Sequence, residues 1–163
     1  MVQKTQLIAL ISAHLKQNLE YLERSASSAK DEATNEESKP ENRYDTRALE
    51  ASYLAGAQEA RIAELKSKLT SLIRIKLKFF SDVDPIGETA LVEVKRGSKA
   101  VFYFILDVAA GIEITDPTNS AKKIICISSQ SPLGTKLLGR IQGELIDMGD
   151  DNRSVEMEVL RVE

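Results

Sequence analysis

Carboxylates are the densest chemistry in this sequence. Between Asp31 and Asp45 the segment DEATNEESKPENRYD carries six of them, Asp31, Glu32, Glu36, Glu37, Glu41 and Asp45, with almost no apolar side chain between. Clustered carboxylates suit a hard cation such as Mg2+, which keeps most of its waters when one or two of them bind it. Softer metals are excluded: one cysteine, Cys126, and one histidine, His14, give neither a zinc cluster nor an internal disulfide. A plainer reading of the same acids is a solvated helix entry, with Ser38-x-x-Glu41 as a capping box at the positive end of a second helix.

Composition narrows the functions such a segment can serve. With 22 Lys and Arg against 25 Asp and Glu, a net charge of −3, the whole chain is not built to coat phosphate backbones. Aromatic content of 5% without tryptophan argues against an aromatic-lined ligand pocket. No apolar run reaches the ~20 residues a bilayer span needs, and the run Leu7 to Ala13 keeps a helical period with no cleavage-site pattern after it. The expectation is a cytoplasmic protein without a membrane partner.

Two different hydrophobic periods divide the 163 residues. In the first part Ile8, Ile11, Leu15, Leu19, Leu22, Ala26 and Ala29 recur at steps of three and four, placing them on one helix stripe. A second stripe runs through Ala48, Ala51, Leu54 or Ala55, Gln58, Ile62, Leu65, Leu69 and Leu72. Each is too narrow for the core of a bundle, so the pattern predicts that residues 1–72 form an antiparallel coiled-coil hairpin with 31–45 as its tip. The small alanines should make the rod slimmer toward that tip. Pro40 suits the turn, since it fits the first turn of a helix and pushes Lys39 out of helical dihedrals. Paired within one chain, the hairpin predicts a monomer.

From Ile73 the period becomes two. IRIKLKF alternates apolar and basic residues over Ile73–Phe79, as a half-buried strand does, and strands are predicted at Thr89–Lys95, Val101–Leu106, Lys123–Ser128, Glu144–Met148 and Ser154–Val162. Turn signals such as Arg96-Gly97-Ser98 separate them, and SPLGTKLLGRIQG, Ser131–Gly143, reads as one short helix behind a Ser-Pro entry. Residues 73–163 are thus expected as a small antiparallel α+β domain, giving an α+β fold class for the chain.

Several residues are read blandly. Cys126, in the run Ile124-Ile125-Cys126-Ile127, is a buried small hydrophobe, and His14 has no partner that would make it a base. Gly139 and Gly143 fit turns and packing, because no phosphate-loop pattern accompanies them. Arg74, Lys76 and Lys78 could meet nucleic acid or acidic protein, but the solvent face of a strand is ordinarily charged. Lys39, Arg43 and Arg47 temper the tip's charge.

The run Ile127-Ser128-Ser129-Gln130-Ser131-Pro132-Leu133-Gly134-Thr135-Lys136-Leu137-Leu138-Gly139-Arg140, followed by Gly143-Glu144, resembles the signature "IS…SP(I/L)…ALLGK…GD" of the Gre-type transcription elongation factors. Pro40-Glu41-Asn42-Arg43-Tyr44, with Arg61-Ile62 later, resembles that family's tip and following helix. The resemblance spans the order hairpin, tip and β-rich domain. It implies an FKBP-like C-terminal domain and an accessory factor rather than an enzyme, docking on the rim of the RNA polymerase secondary channel through Gln130, Ser131, Pro132 and Leu133. It further implies that the tip, with Glu36, Glu37, Glu41 and Asp45, reaches the polymerase active centre and, indirectly, the nascent RNA. There the family uses an Asp and a Glu three residues later to help hold a second Mg2+ for cleavage of backtracked transcript. The Glu falls on Glu41 but the Asp falls on Ser38, and a hydroxyl is a poor substitute for a carboxylate as Mg2+ ligand.

Two branches follow: modulation of elongation, pausing or initiation without cleavage, or cleavage with Glu37 or Asp45 assisting Glu41 as Mg2+ ligands shared with the polymerase. Two other classes stand beside them. A peptidyl-prolyl isomerase would need Phe79, Phe80, Phe102, Tyr103 and Phe104 to wall one pocket, and a coiled-coil interaction protein would need no polymerase.

Overall fold

The computed structural model describes residues 3–34, 47–149 and 156–163. Two long helices come first, α1 (Lys4–Thr34) and α2 (Arg47–Ile73). Six strands follow: β1 (Leu91–Arg96), β2 (Lys99–Ile105), β3 (Glu113–Asp116), β4 (Asn119–Ile127), β5 (Leu145–Asp147) and β6 (Glu156–Val162). A short helix, α3 (Pro132–Leu137), lies between β4 and β5. The chain divides into two compact units: Ser12–Ile73, and Arg74–Glu163 together with Met1–Ile11.

In the helical unit α1 and α2 pair as a hairpin. Lys66 Nζ reaches Glu23 Oε1 across the two helices at 2.8 Å. Leu15, Leu65 and Leu72 are buried, while Leu19, Leu22, Ala26, Gln58, Ile62 and Leu69 are half-buried, so the two predicted stripes are the inward faces along this stretch. The second stripe stops short of its predicted length: Leu54 is 61% exposed and Ala55 is exposed too. Periodicity marks the face a helix would bury, and burial still requires a partner opposite. The side chains of Ala29, Ala48 and Ala51 fall outside the description, as do Ser38, Pro40 and the tip acids Glu36, Glu37, Glu41 and Asp45.

The other unit is one mixed sheet in the order β3-β4-β2-β1-β6-β5. Antiparallel pairing holds for β1 with β2, β1 with β6, β3 with β4 and β5 with β6. The exception is β2 with β4, which run parallel with Phe102 opposite Ile124 and Phe104 opposite Cys126. After β2 the chain makes a 3-10 turn at Asp107–Ala109, lays β3 down as the edge and returns as β4 between β3 and β2. A crossover of that kind leaves no alternation signal, so parallel pairing was not legible from strand patterns.

Alternation sorts the sheet's two faces. Val92, Val94, Tyr103, Ile105, Met157, Val159 and Val162 form one core with Ile86, Leu137 and Ile146. Their neighbours Leu91, Phe104, Ile124 and Cys126 are buried as well. Gly97 at φ 62 makes the two-residue β1–β2 turn, a conformation that side-chain-bearing residues adopt at a cost.

The expected strand at Ile73–Phe79 is absent. α2 runs through Ile73, and the residues after Arg74 form a connection with no ladder partner. The expected helix at Ser131–Gly143 is shorter, ending at Leu137, because Gly139 takes φ 79 and gives its amide to Ile86 O at 2.9 Å.

Candidate functional site

The turn from β4 into α3 is built by hydroxyls and one distant carboxylate. Ser131 caps α3: its Oγ accepts from the Gly134 amide at 3.0 Å and donates to Ser128 O at 2.7 Å. Pro132 occupies the first helical turn, where its missing N–H costs nothing. Gly134 allows the closure, since a Cβ there would lie 2.0 Å from Ser128 O. The carboxylate is Asp107, in the 3-10 turn: it accepts from the Ser129 amide at 2.6 Å and from Ser129 Oγ at 2.8 Å. The Ser129 amide holds the Asp107 carboxyl below its ordinary value, burial opposes, and the serine hydroxyls add to the lowering.

This bonding fixes what the loop shows to solvent. Gln130 and Pro132 are exposed, Ser131 is half-buried, and Leu133 is half-buried in the wall of a cleft of about 160 Å³. Arg96, Tyr103, Met148 and Met157 complete that wall. An apolar floor of leucine and two methionines, with one tyrosine hydroxyl and one guanidinium, suits an apolar side chain carried on a polar segment. The four loop residues singled out from sequence are therefore contiguous in space and joined to a cleft. Asp107 was missed, because it lies 22 residues from Ser129 and only the topology brings it there.

The remaining candidates separate. Glu36, Glu37, Glu41 and Asp45 lie outside the described residues, and among the described residues no group of three or more His, Cys, Asp or Glu could hold a metal ion. Cys126 is buried, and burial pushes its thiol up to about 12, which makes it inert at neutral pH. His14 is exposed and shares a 3.1 Å hydrogen bond with Asn18. Gly139 and Gly143 both take positive φ in turns, at 79 and 87, and serve the backbone.

The aromatic residues do not converge. Phe104 is buried, Phe102 lies 3.7 Å under the Lys122 ammonium, Tyr103 lines the cleft, Phe80 lies 4.7 Å from Lys4 Nζ, and Phe79 is exposed. Spread over both sheet faces and the connection, they wall no single pocket of the kind a prolyl isomerase needs. Among the described residues no helix is long and apolar enough to cross a membrane.

One lysine on α1 also escaped sequence reading. Lys4 is buried, and its Nζ donates to Lys78 O at 2.6 Å. Burial lowers its pKa to about 8, with the Glu163 carboxylate pulling the other way.

No family model matches the chain, and no curated protein matches it. Among solved structures the chain is similar to GreA factor homolog 1 (Gfh1) of Thermus thermophilus, at 22% identity over 93% of this chain and 94% of that one, with a TM-score of 0.37. Gfh1 of Thermus aquaticus matches at 22% identity over 93% and 92%, with a TM-score of 0.38. The elongation factor GreA/GreB of Nitrosomonas europaea matches at 17% identity over 60% of this chain and 77% of that one, with a TM-score of 0.33.

Proposed function

We propose that this chain is an accessory factor that binds RNA polymerase and modulates elongation, pausing or initiation without stimulating transcript cleavage. The observation that carries the reading is the Ser128–Gly134 turn. The residues of the Gre-type signature fold into one closely bonded entry turn that presents Gln130 and Pro132 beside an apolar cleft. In this reading Gln130, Ser131, Pro132 and Leu133 dock on the secondary-channel rim, with an apolar side chain of the rim in the cleft. The hairpin carries its acid-rich segment toward the active centre.

At that centre Glu36, Glu37, Glu41 and Asp45 would supply negative charge close to the polymerase's own Mg2+. Ser38 sets the branch. A serine hydroxyl is neutral at physiological pH and binds Mg2+ weakly, so the pair of carboxylates that the family spaces three residues apart is incomplete. An incomplete pair can compete for the cation or obstruct substrate entry without positioning a water for in-line attack.

The test is a binding and elongation assay with purified polymerase. The full chain should co-migrate with polymerase and slow nucleotide addition, and Gln130→Ala with Pro132→Ala should weaken co-migration about tenfold or more, as truncation of a central contact does. Absence of binding by the unaltered chain would end the reading.

A further inference from the structure

The connection between α2 and β1 holds cations that nothing in the fold uses. Arg74, Lys76 and Lys78 are exposed, and their head groups make no ion pair or hydrogen bond among the described residues. Ile75 and Leu77 between them are half-buried, which is the exposure pattern of extended backbone. Charged residues on a strand's outer face need no special explanation, but this segment is in no sheet. It keeps the alternation without a ladder partner.

The pattern breaks at an aromatic pair, and the break is informative. Phe80 turns inward, 4.7 Å from the Lys4 ammonium, while Phe79 stands 93% exposed. The backbone beneath is clamped from two sides. Thr89, held at φ 66, accepts the Lys78 amide on its Oγ1 at 3.0 Å, and buried Lys4 donates to Lys78 O at 2.6 Å. A fully exposed phenylalanine on a clamped backbone loses apolar contact in this fold and gains none. Four residues further on, Val83 is 78% exposed, and Asp84 is turned into its own loop by the Ser81 amide and hydroxyl, leaving Asp82 as the free acid at that end.

We propose that Arg74–Phe79 binds single-stranded nucleic acid, with Arg74, Lys76 and Lys78 pairing successive phosphates and Phe79 stacking a base. Alternate residues of an extended chain recur every ~6.6 Å, close to the spacing of phosphates along a stretched single strand. An aromatic face beside a row of cations is the general design of sequence-tolerant single-strand binding. A duplex fits less well, because its bases are already stacked and offer Phe79 no face. The site is separate from the Gln130–Leu133 loop and does not depend on polymerase docking.

The experiment is fluorescence anisotropy of a short labelled oligouridylate titrated with the full chain over a range of salt. Three phosphate contacts predict a slope of log affinity against log salt near ~−2. Phe79→Ala should weaken binding about tenfold. The double change Lys76→Gln and Lys78→Gln should flatten the slope to ~−0.7. All three side chains are exposed, so circular dichroism should show the fold retained. Oligothymidylate in a parallel arm tells DNA from RNA as the source, and binding of either supports the site. Failure of the unaltered chain to bind, equal binding of duplex, equal binding of labelled polyglutamate, or indifference to Phe79→Ala would each overturn it; the polyglutamate result would assign the stripe to acidic protein.

Discussion

Two stretches of this chain carry strand-like sequences, one an apolar run and one a strict alternation, and they have opposite fates. In β2, Lys99–Ile105, a nearly continuous apolar run places Tyr103 and Ile105 in one core and buries Phe104 as well, with β1 and β4 bonded on either side. In the connection Arg74–Phe80 a strict alternation buries Ile75 and Leu77 only partly, and among the described residues no strand pairs with it. Alternation reports which side chains turn inward; whether a ladder forms depends on a neighbour the pattern does not name.

That contrast is sharpest in one phenylalanine from each stretch, Phe104 and Phe79. Phe104→Ala should cost about 3–5 kcal/mol, because Phe104 is fully buried and its loss opens a cavity. Phe79→Ala should stay within about 0.5 kcal/mol of the parent. Urea denaturation measures both, and similar losses would show that Phe79 packs after all. The hairpin offers the same comparison at lower amplitude: Leu65→Ala, at a buried position, should cost about 3 kcal/mol, whereas Leu54→Ala should cost almost nothing. Equal losses would extend the packed stretch of the helix pair as far as Leu54.

A third comparison sets the closely bonded Ser128–Gly134 turn against an open one. Gly134→Ala would drive a Cβ onto Ser128 O, and either the turn opens or the helix shifts, at about 1–3 kcal/mol. A Cβ at Gly139 meets nothing within 4 Å, so the penalty there is only that of φ 79 for a side-chain-bearing residue, about 1 kcal/mol. Thermal melts of the two variants should rank in that order.

The remaining effect is read in pH and belongs to Lys4. Its pKa falls to about 8 in the fold against an ordinary 10.5, so between those values the unfolded chain keeps a proton that the folded chain has released. Stability from this group therefore rises with pH across that window and is fully gained at its top. Lys4→Met should remove this part of the pH dependence, read as a difference between two melting curves; parallel curves for parent and variant would contradict the assignment.

How much of this was legible beforehand follows from the same physics. The hairpin, five of the six strands and the Ser-Pro helix entry declare themselves through local period and turn residues. β3 does not: Glu113–Asp116 is short and buries only Ile114 and Asp116, so it carries too little alternation to stand out. Ser131 and Pro132 announce the helix entry because they act on near neighbours, whereas Gln130–Leu133 stood out as a loop only through the resemblance to the Gre-type signature. Asp107 and the cleft residues Arg96, Tyr103 and Met157 were not, since long-range pairing alone brings them together.

The central claim turns on Ser38. The most direct measurement follows RNA length and nucleotide addition in a backtracked elongation complex, with the parent chain and Ser38→Asp side by side. The parent should slow synthesis and leave the RNA at full length, and Ser38→Asp should shorten it in a manner lost on adding Glu41→Ala. Shortened RNA with the parent chain would contradict that claim.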